Sequence, residues 1–332
     1  MSKPEYKVDI FTGIRPTGNL TVANYLGAVK PIVKLQSQGY RPLVFVADIH
    51  ALTDNEPALV KKYTNEVVAD YIALGLDPDT TTIYIQSAIA NQVSSLTLIL
   101  SRLISVAELL RVPTLKEKLK STLQPENANA LLLLYPVLMA ADILINRAKE
   151  IPVGEDQLSH IEVTRELARR FNKNYGEVFS LPKAHQVESL RILSLKGDGK
   201  MSKTSPETAI FLTDSPDEVI QKIKKAETAF EGQMSNALKN HIFLAKELSS
   251  DENEHKKIDI IIGRHLKGEK VMGEFKDAFS DIVNSFLATF QTNRKKITEN
   301  PDYIESILEK GNAIARSNAD ETMAVVNATM YK

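Results

Sequence analysis

Through the first two hundred residues, short apolar runs alternate with longer segments in which apolar positions recur about every 3.6 residues. The short runs are YKVDIF (6–11), PLVFVAD (42–48), TTIYIQS (81–87), EIPVG (150–154) and LRILSL (190–195). Between them, VANYLGAVKPIVKLQSQ, ALVKKYTNEVVADYIALGL and QVSSLTLILSRLISVAELLRV carry helical spacing. Strands separated by helices of this length favour a parallel sheet with right-handed crossovers. A run apolar on both faces, such as LVFVA, suits a sheet covered on both sides. The pattern predicts an α/β fold, a doubly wound parallel five-stranded sheet. After about residue 205 no strand pattern returns. SPDEVIQKIKKAETA opens with a Ser cap, Pro at the first helical position and acids in the first turn, and the remainder reads as a C-terminal helical domain.

Composition narrows the function classes. At 332 residues the chain has room for roughly two domains of about 150 residues each. Cysteine is absent, which excludes disulfides, iron–sulfur clusters and cysteine nucleophiles. Six scattered histidines without a His-x-x-x-His pair disfavour structural zinc. The polar start MSKPEYKVDIF lacks a signal-peptide core, and no run approaches the ~20 apolar residues of a membrane span, so a cytoplasmic protein with no membrane partner is expected. The net charge of -1 leaves a nucleic-acid partner open, because a local basic patch can do what global charge does not.

Three stretches carry candidate chemistry. In FTGIRPTGNLTVANYLGA (11–28) a strand ends near Phe11 and a helix starts around Thr21, with a Gly/Pro-rich turn between. Doubly wound sheets bind ligands at such strand-to-helix turns. The helix start is expected to offer free N–H groups to an anion, and Gly13 and Gly18 to let a ligand approach the backbone. In residues 134–157, LYPVLMAADILINRAKEIPVGEDQ, Pro136 reads as a helix start. Tyr135, Met139 and Asp142 share one face at i, i+4 and i+7. Asp142 sits among Leu, Met, Ala and Ile, where an ionised carboxylate needs a donor. That donor is either a ligand, or an Arg or backbone N–H of the chain. GDGKMSKTSPET (197–208) places Lys200 and Lys203 on a Gly-flanked strap, either a solvated loop or a mobile lid over an anion. All three stretches are expected at one edge of one sheet.

These residues resemble a known family. PTGNLTVAN followed by KMSKT is similar to the two signatures of class I aminoacyl-tRNA synthetases, summarised as HIGH and KMSKS. YPVLMAADIL, PVGEDQ with HIEVTRELARRFN, RILSL, KMSKT and EKGNAIARSNADET follow in family-like order, and nearly the whole chain resembles bacterial-type tryptophanyl-tRNA synthetases. The resemblance implies ATP-dependent activation of L-tryptophan to tryptophanyl-adenylate and transfer to the 3′ end of tRNA(Trp). It implies a homodimer that takes ATP with Mg2+ as its substrate complex, without zinc or an iron–sulfur cluster. It further implies a Rossmann-like catalytic domain over 1–204, a helical anticodon module over 205–332, and a last helix (about 302–332) that packs back on the catalytic domain.

By the same resemblance, Lys200 and Lys203 would neutralise the leaving pyrophosphate, and Thr21 and Asn24 would bond phosphate. Lys118, or alternatively Lys116, would be a further phosphate contact. Phe11, Gly13, Tyr135, Met139, Asp142, Ile151, Val153 and Gln157 would form the tryptophan pocket. Asp142 would accept the indole N–H, and Phe11 and Met139 stand where the tyrosine enzymes carry polar groups. Arg15, Pro16, Thr17, Ala23, Asn24, Gly154, Glu155, Asp156, Ile192, Met201, Ser202 and Thr204 would line the ATP site with the two lysines. Ala23 replaces a usual Gly, Arg15 a common Gln and Thr204 a Ser. Arg102, Arg111, Lys116, Lys118, Lys120 and NRKK (293–296) are candidate tRNA phosphate contacts, and SSLTLILSRLISVAELL is a dimer element or a core helix. The alternatives are the tyrosine enzyme, a non-catalytic regulator and a small-molecule nucleotidyltransferase. The tryptophan reading expects Asp142 to keep its carboxylate for a ligand.

Overall fold

A computed structural model describes residues 5–121, 128–154, 157–186 and 192–331. Its strands are β1 (Val8–Ile14), β2 (Pro42–Val46), β3 (Thr82–Ile85), β4 (Ala148–Val153) and β5 (Lys183–Gln186). They form one parallel sheet in the order β3-β2-β1-β4-β5. The helices in chain order begin with α1 (Val22–Asn24), which runs through a π turn (Tyr25–Val29) into α2 (Lys30–Ser37). There follow α3 (Asp48–Ala51), α4 (Pro57–Ala73), α5 (Ala90–Ser101), α6 (Val106–Leu109), α7 (Pro113–Ser121), α8 (Ala130–Ile145) and α9 (Leu158–Tyr175). The last five are α10 (Pro216–Lys225), α11 (Asn236–Leu248), α12 (Glu252–Leu266), α13 (Met272–Thr298) and α14 (Pro301–Met330). Among the described residues, no helix is long and apolar enough to cross a membrane.

Four of the expected strands lie where the apolar runs put them, and the fifth does not. Lys183–Gln186 supplies β5, pairing Val153 with Gln186. The apolar positions of LRILSL instead bury Ile192 and Leu195 beside the lysine strap, where Leu193 pairs antiparallel with Lys200. An edge strand of four residues needs no apolar alternation, so KAHQ carries little strand signal.

The chain divides into two compact units, residues 1–18, 32–189 and 300–332 in one and residues 19–31 and 190–299 in the other. A cut at residue 204 keeps the first-signature helix and the strap with the sheet, whereas the compact units group both with α10 to α13 and keep α14 with the sheet. In the sheet unit, register sets Gly13 opposite Phe45 and Phe45 opposite Tyr84. Phe11 stacks on Phe45 at 5.0 Å and Phe45 on Tyr84 at 5.9 Å, an aromatic layer across three strands. Helix α14 belongs to this unit and covers edge strand β3. Asn312 Oδ1 accepts the Ile85 N–H at 3.0 Å, and a Cβ on Gly311 would stand 1.8 Å from the Ile83 carbonyl oxygen. The covered edge offers no ladder to another chain.

In the helical unit, His241 of α11 is buried and stacks on Phe279 at 5.5 Å. Burial pulls its imidazole down to about 4, reinforced by the Lys276 charge and opposed by a backbone hydrogen bond at Leu195. The folded value lies below the ordinary 6.5, so between these values the unfolded chain takes up a proton that the folded unit excludes. Stability is therefore full above pH 6.5 and falls as pH drops toward 4, by on the order of 3 kcal/mol. Denaturant unfolding at neutral and acid pH checks this. His241→Gln is expected to flatten the slope, and an unchanged slope would remove His241 as its source.

Candidate active site

Helix α8 starts earlier than its proline suggests. Asn129 caps it, accepting the Leu132 N–H at 2.9 Å, and Pro136 lies inside the helix. The cap and the run ALLLL outweigh the interior proline, whose ring removes one i→i−4 bond. Tyr135 and Asp142 are buried on the shared face, with Met139 half-buried between them.

Asp142 is 0 % exposed, and the chain itself supplies its donors. Gln86 Nε2 donates to Oδ1 at 2.9 Å and Oδ2 at 2.8 Å, and His50 Nε2 donates to Oδ2 at 2.9 Å. The chain thus takes up part of a carboxylate that was expected to be kept for a ligand, through partners that are neither an Arg nor a backbone N–H. Burial raises the carboxyl pKa above its ordinary value, opposed by the bonds from His50 and Gln86. Gln86 Oε1 accepts the His50 backbone N–H at 3.2 Å, which fixes the amide with its nitrogen toward Asp142. Of about four acceptor positions on a carboxylate, three are in use, and the fourth is on Oδ1. His50 follows β2 and Gln86 follows β3. Their signal in the sequence was a polar residue just past the carboxyl end of an apolar strand.

Around Tyr135, Thr114 Oγ1 lies 2.8 Å from the phenol oxygen and 2.6 Å from His160 Nε2. Lys118 Nζ stands 4.8 Å from the centre of the Tyr135 ring, whereas Lys116 is exposed. The Lys118 pKa is lowered by burial and by the Arg15 charge, with Asp54 opposing. Arg15 pairs with Asp54, so its guanidinium has a partner within the chain before any substrate carboxylate or phosphate arrives. Thr114, His160 and Asp54 were not singled out by the sequence. Phe11, Ile151 and Val153 are buried in one apolar cluster. Gly13 is exposed, and a Cβ there would meet the Phe45 ring at 2.5 Å, so glycine keeps this strand end bare. Gly18 is left-handed, with φ +79. Pro16 is buried, Thr17 half-buried, and Gln157 donates its N–H to the Gly154 carbonyl at 3.0 Å. Glu155 and Asp156 lie outside the described residues.

The remaining candidates belong to the helical unit. Thr21 caps α1 in a box with Asn24: Thr21 Oγ1 accepts the Asn24 N–H at 3.3 Å, and Asn24 Oδ1 accepts the Thr21 N–H at 3.0 Å. Val22 N–H donates to Ile210 O and Leu212 N–H to Leu20 O, at 3.0 and 2.9 Å. The N–H groups of Val22 and Asn24 are thus taken up by the chain, contrary to the expectation of a free helix start. Ala23 is half-buried. The π turn that follows is a geometry common at functional sites.

The strap is fastened at its flanks rather than loose. Ser194 N–H donates to Gly199 O at 3.1 Å, Met201 N–H to Ile192 O at 2.9 Å, and Leu195 N–H to Thr208 O at 2.9 Å. Ile192 and Met201 are buried, Lys200 is exposed and Lys203 half-buried. Ser202 Oγ and Thr204 Oγ1 lie 2.9 Å apart. Outside these clusters, Arg102, Arg111, Lys120 and Lys295 are exposed. Helix α5 buries Val93, Leu96 and Leu100 yet leaves Leu98 69 % exposed; Val106 of α6 and Leu110, which follows α6, are exposed as well.

The family described as tRNA synthetases class I (W and Y) matches residues 3–288. A tryptophan–tRNA ligase of Treponema pallidum is 36% identical, covering 97% of this chain and 96% of its own. One from Thermotoga maritima is also 36% identical, covering 97% and 98%. A solved tryptophanyl-tRNA synthetase of Campylobacter jejuni, complexed with ADP and tryptophan, superposes with a TM-score of 0.84 at 31% identity, covering 98% of this chain and 100% of the other.

Proposed function

Since the chain belongs to the class I tRNA synthetases of the W and Y type, we infer that it is a tryptophan–tRNA ligase. It activates L-tryptophan with ATP and passes the tryptophanyl group to the 3′ end of tRNA(Trp). The observation that carries this reading is a likeness to tryptophan–tRNA ligases that covers 97% of this chain and nearly all of theirs.

The first step needs no covalent enzyme intermediate. A carboxylate oxygen of tryptophan attacks the α-phosphorus of ATP, taken as its Mg2+ complex, and the bond to pyrophosphate breaks. The protein contributes positioning and charge. Lys200 and Lys203 neutralise the pyrophosphate as charge builds on it, and Lys118 adds a third cation. Asn24 Oδ1 accepts from Thr21, so the amide nitrogen is the group left for a phosphate oxygen. In the second step the ribose hydroxyl at the tRNA 3′ end attacks the adenylate carbonyl carbon and AMP leaves.

Tryptophan selection rests on Asp142 in its aromatic and apolar surroundings. The acceptor position left on Oδ1 suits the single N–H of indole, while His50 and Gln86 keep the carboxylate in place. Phe11 and Met139 add no polar partner for a phenol. We further assign the helices after residue 205 to the anticodon, with NRKK (293–296) as phosphate contacts. The exposed Leu98, Val106 and Leu110 support a homodimer, and the cytoplasm is the compartment of this activity.

Pyrophosphate exchange measured with tryptophan, tyrosine or neither, followed by tRNA charging, tests the assignment. Exchange should require tryptophan; a tyrosine requirement overturns the specificity, and none with either overturns the activity. Asp142→Asn keeps the volume and removes the charged acceptor. It should lower kcat/KM for tryptophan about 100-fold, from the ~3 kcal/mol of a charged hydrogen bond, with KM for ATP unchanged within about twofold. Equal effects on both substrates would count against the indole contact.

A further inference from the structure

Leu193 and Lys200 face each other across the strap hairpin as a pair whose own backbone groups do not bond each other. The bonds that close the pair come from the flanking residues, Ser194 to Gly199 and Met201 to Ile192. In such antiparallel geometry the N–H and C=O of Leu193 point outward, where a next strand would pair. Among the described residues no named strand flanks it there. The side chain of Asn240, on α11 and 8 % exposed, takes that place. Its Oδ1 accepts the Leu193 N–H at 3.0 Å and its Nδ2 donates to the Leu193 carbonyl at 3.2 Å.

One turn earlier, Ala237 backs the same hairpin. A Cβ on Gly197 would stand 2.8 Å from the Ala237 Cβ, so only glycine (φ +75) lets the turn lie this close to α11. Ser194 Oγ then ties the turn to Asp198 Oδ1 at 2.7 Å. The hairpin is held on its α11 side and left open on the side of Lys200, which is exposed. The amide satisfies the N–H and the C=O of Leu193 together, groups that an apolar side chain of similar volume would leave without this partner.

We propose that Asn240 is a positioning residue for the phosphate-transfer step. It touches no substrate; it completes the strap hairpin as a neighbouring strand would, and thereby sets the position of Lys200 and, three residues on, Lys203. This inference rests on the proposed function, through the role of those lysines.

The test is Asn240→Asp, with Asn240→Ser as a milder variant should the first fold poorly. Aspartate keeps an acceptor for the Leu193 N–H and sets a second oxygen against the Leu193 carbonyl. A displacement of about 1 Å at a catalytic group costs roughly 100-fold. The kcat of tryptophan-dependent pyrophosphate exchange should therefore fall by about 10- to 100-fold, while KM for tryptophan stays within about twofold and the Leu193 amide exchanges with solvent faster. An unchanged kcat in both variants overturns the proposal. So does a loss shared equally by tryptophan binding and thermal stability, which would make Asn240 merely structural. If the unaltered protein shows no tryptophan-dependent exchange, the proposed function itself fails, and slower or unchanged exchange of the Leu193 amide would then still overturn the clamp.

Discussion

Replacing Lys200 and Lys203 together by alanine is expected to lower the kcat of tryptophan-dependent pyrophosphate exchange by about 1,000-fold or more. Removing one preorganised charge-stabilising donor from a transition state typically costs about 100- to 1,000-fold, and the two ammonium groups answer the same growing charge. Each single substitution should give a smaller loss. Tryptophan affinity should hold, because Tyr135, Met139 and Asp142 lie on α8 in the other compact unit. The melting temperature should also hold, since the strap is fastened by backbone bonds at residues 192–201 and 208, which the substitutions leave in place. Exchange kinetics, tryptophan titration and a thermal scan measure the three quantities. A double variant that keeps activity within about tenfold would remove the strap from pyrophosphate stabilisation.

Gly311→Ala tests the other unit and is expected to destabilise the protein by about 3 kcal/mol or more. Two effects oppose each other. Alanine is the better helix former by about 1 kcal/mol, but its Cβ would stand 1.8 Å from the Ile83 oxygen and 2.6 Å from the Ile83 carbonyl carbon. Both are backbone atoms of a sheet strand, so no side chain can turn aside and α14 must lift from β3. The clash wins. Gly263→Ala in α12 is the control, since nothing lies within 4 Å of its added carbon; it should stabilise by up to about 1 kcal/mol. Denaturant unfolding of both variants checks the sign, and a neutral Gly311→Ala would mean that α14 does not seat so closely.

What the sequence made legible was local. The Ser215 cap, Pro216 at the first helical position and the acids Asp217 and Glu218 in the first turn lie within four residues and are found as read. The apolar run of β2 announces burial on both faces, and all five of its residues are buried; the shared face of Tyr135, Met139 and Asp142 follows from helical spacing. What it hid was pairing at a distance. The donors to Asp142 come from 92 and 56 residues away, and periodicity cannot say which strand end will face which helix. The same limit hid Asn240, 47 residues from Leu193. LRILSL misled because burial beside a hairpin and burial in a sheet leave the same apolar alternation, whereas β5 at the sheet edge left almost none.

The seating of α14 on β3 bears on how the protein is made. A ribosome delivers β3 more than two hundred residues before Gly311 and Asn312 emerge, and through that interval the Ile85 amide has no asparagine to receive it. The nascent sheet thus carries an uncovered, hydrogen-bond-hungry flank until α14 emerges, and a product cut short within that helix would be prone to pair with its own kind.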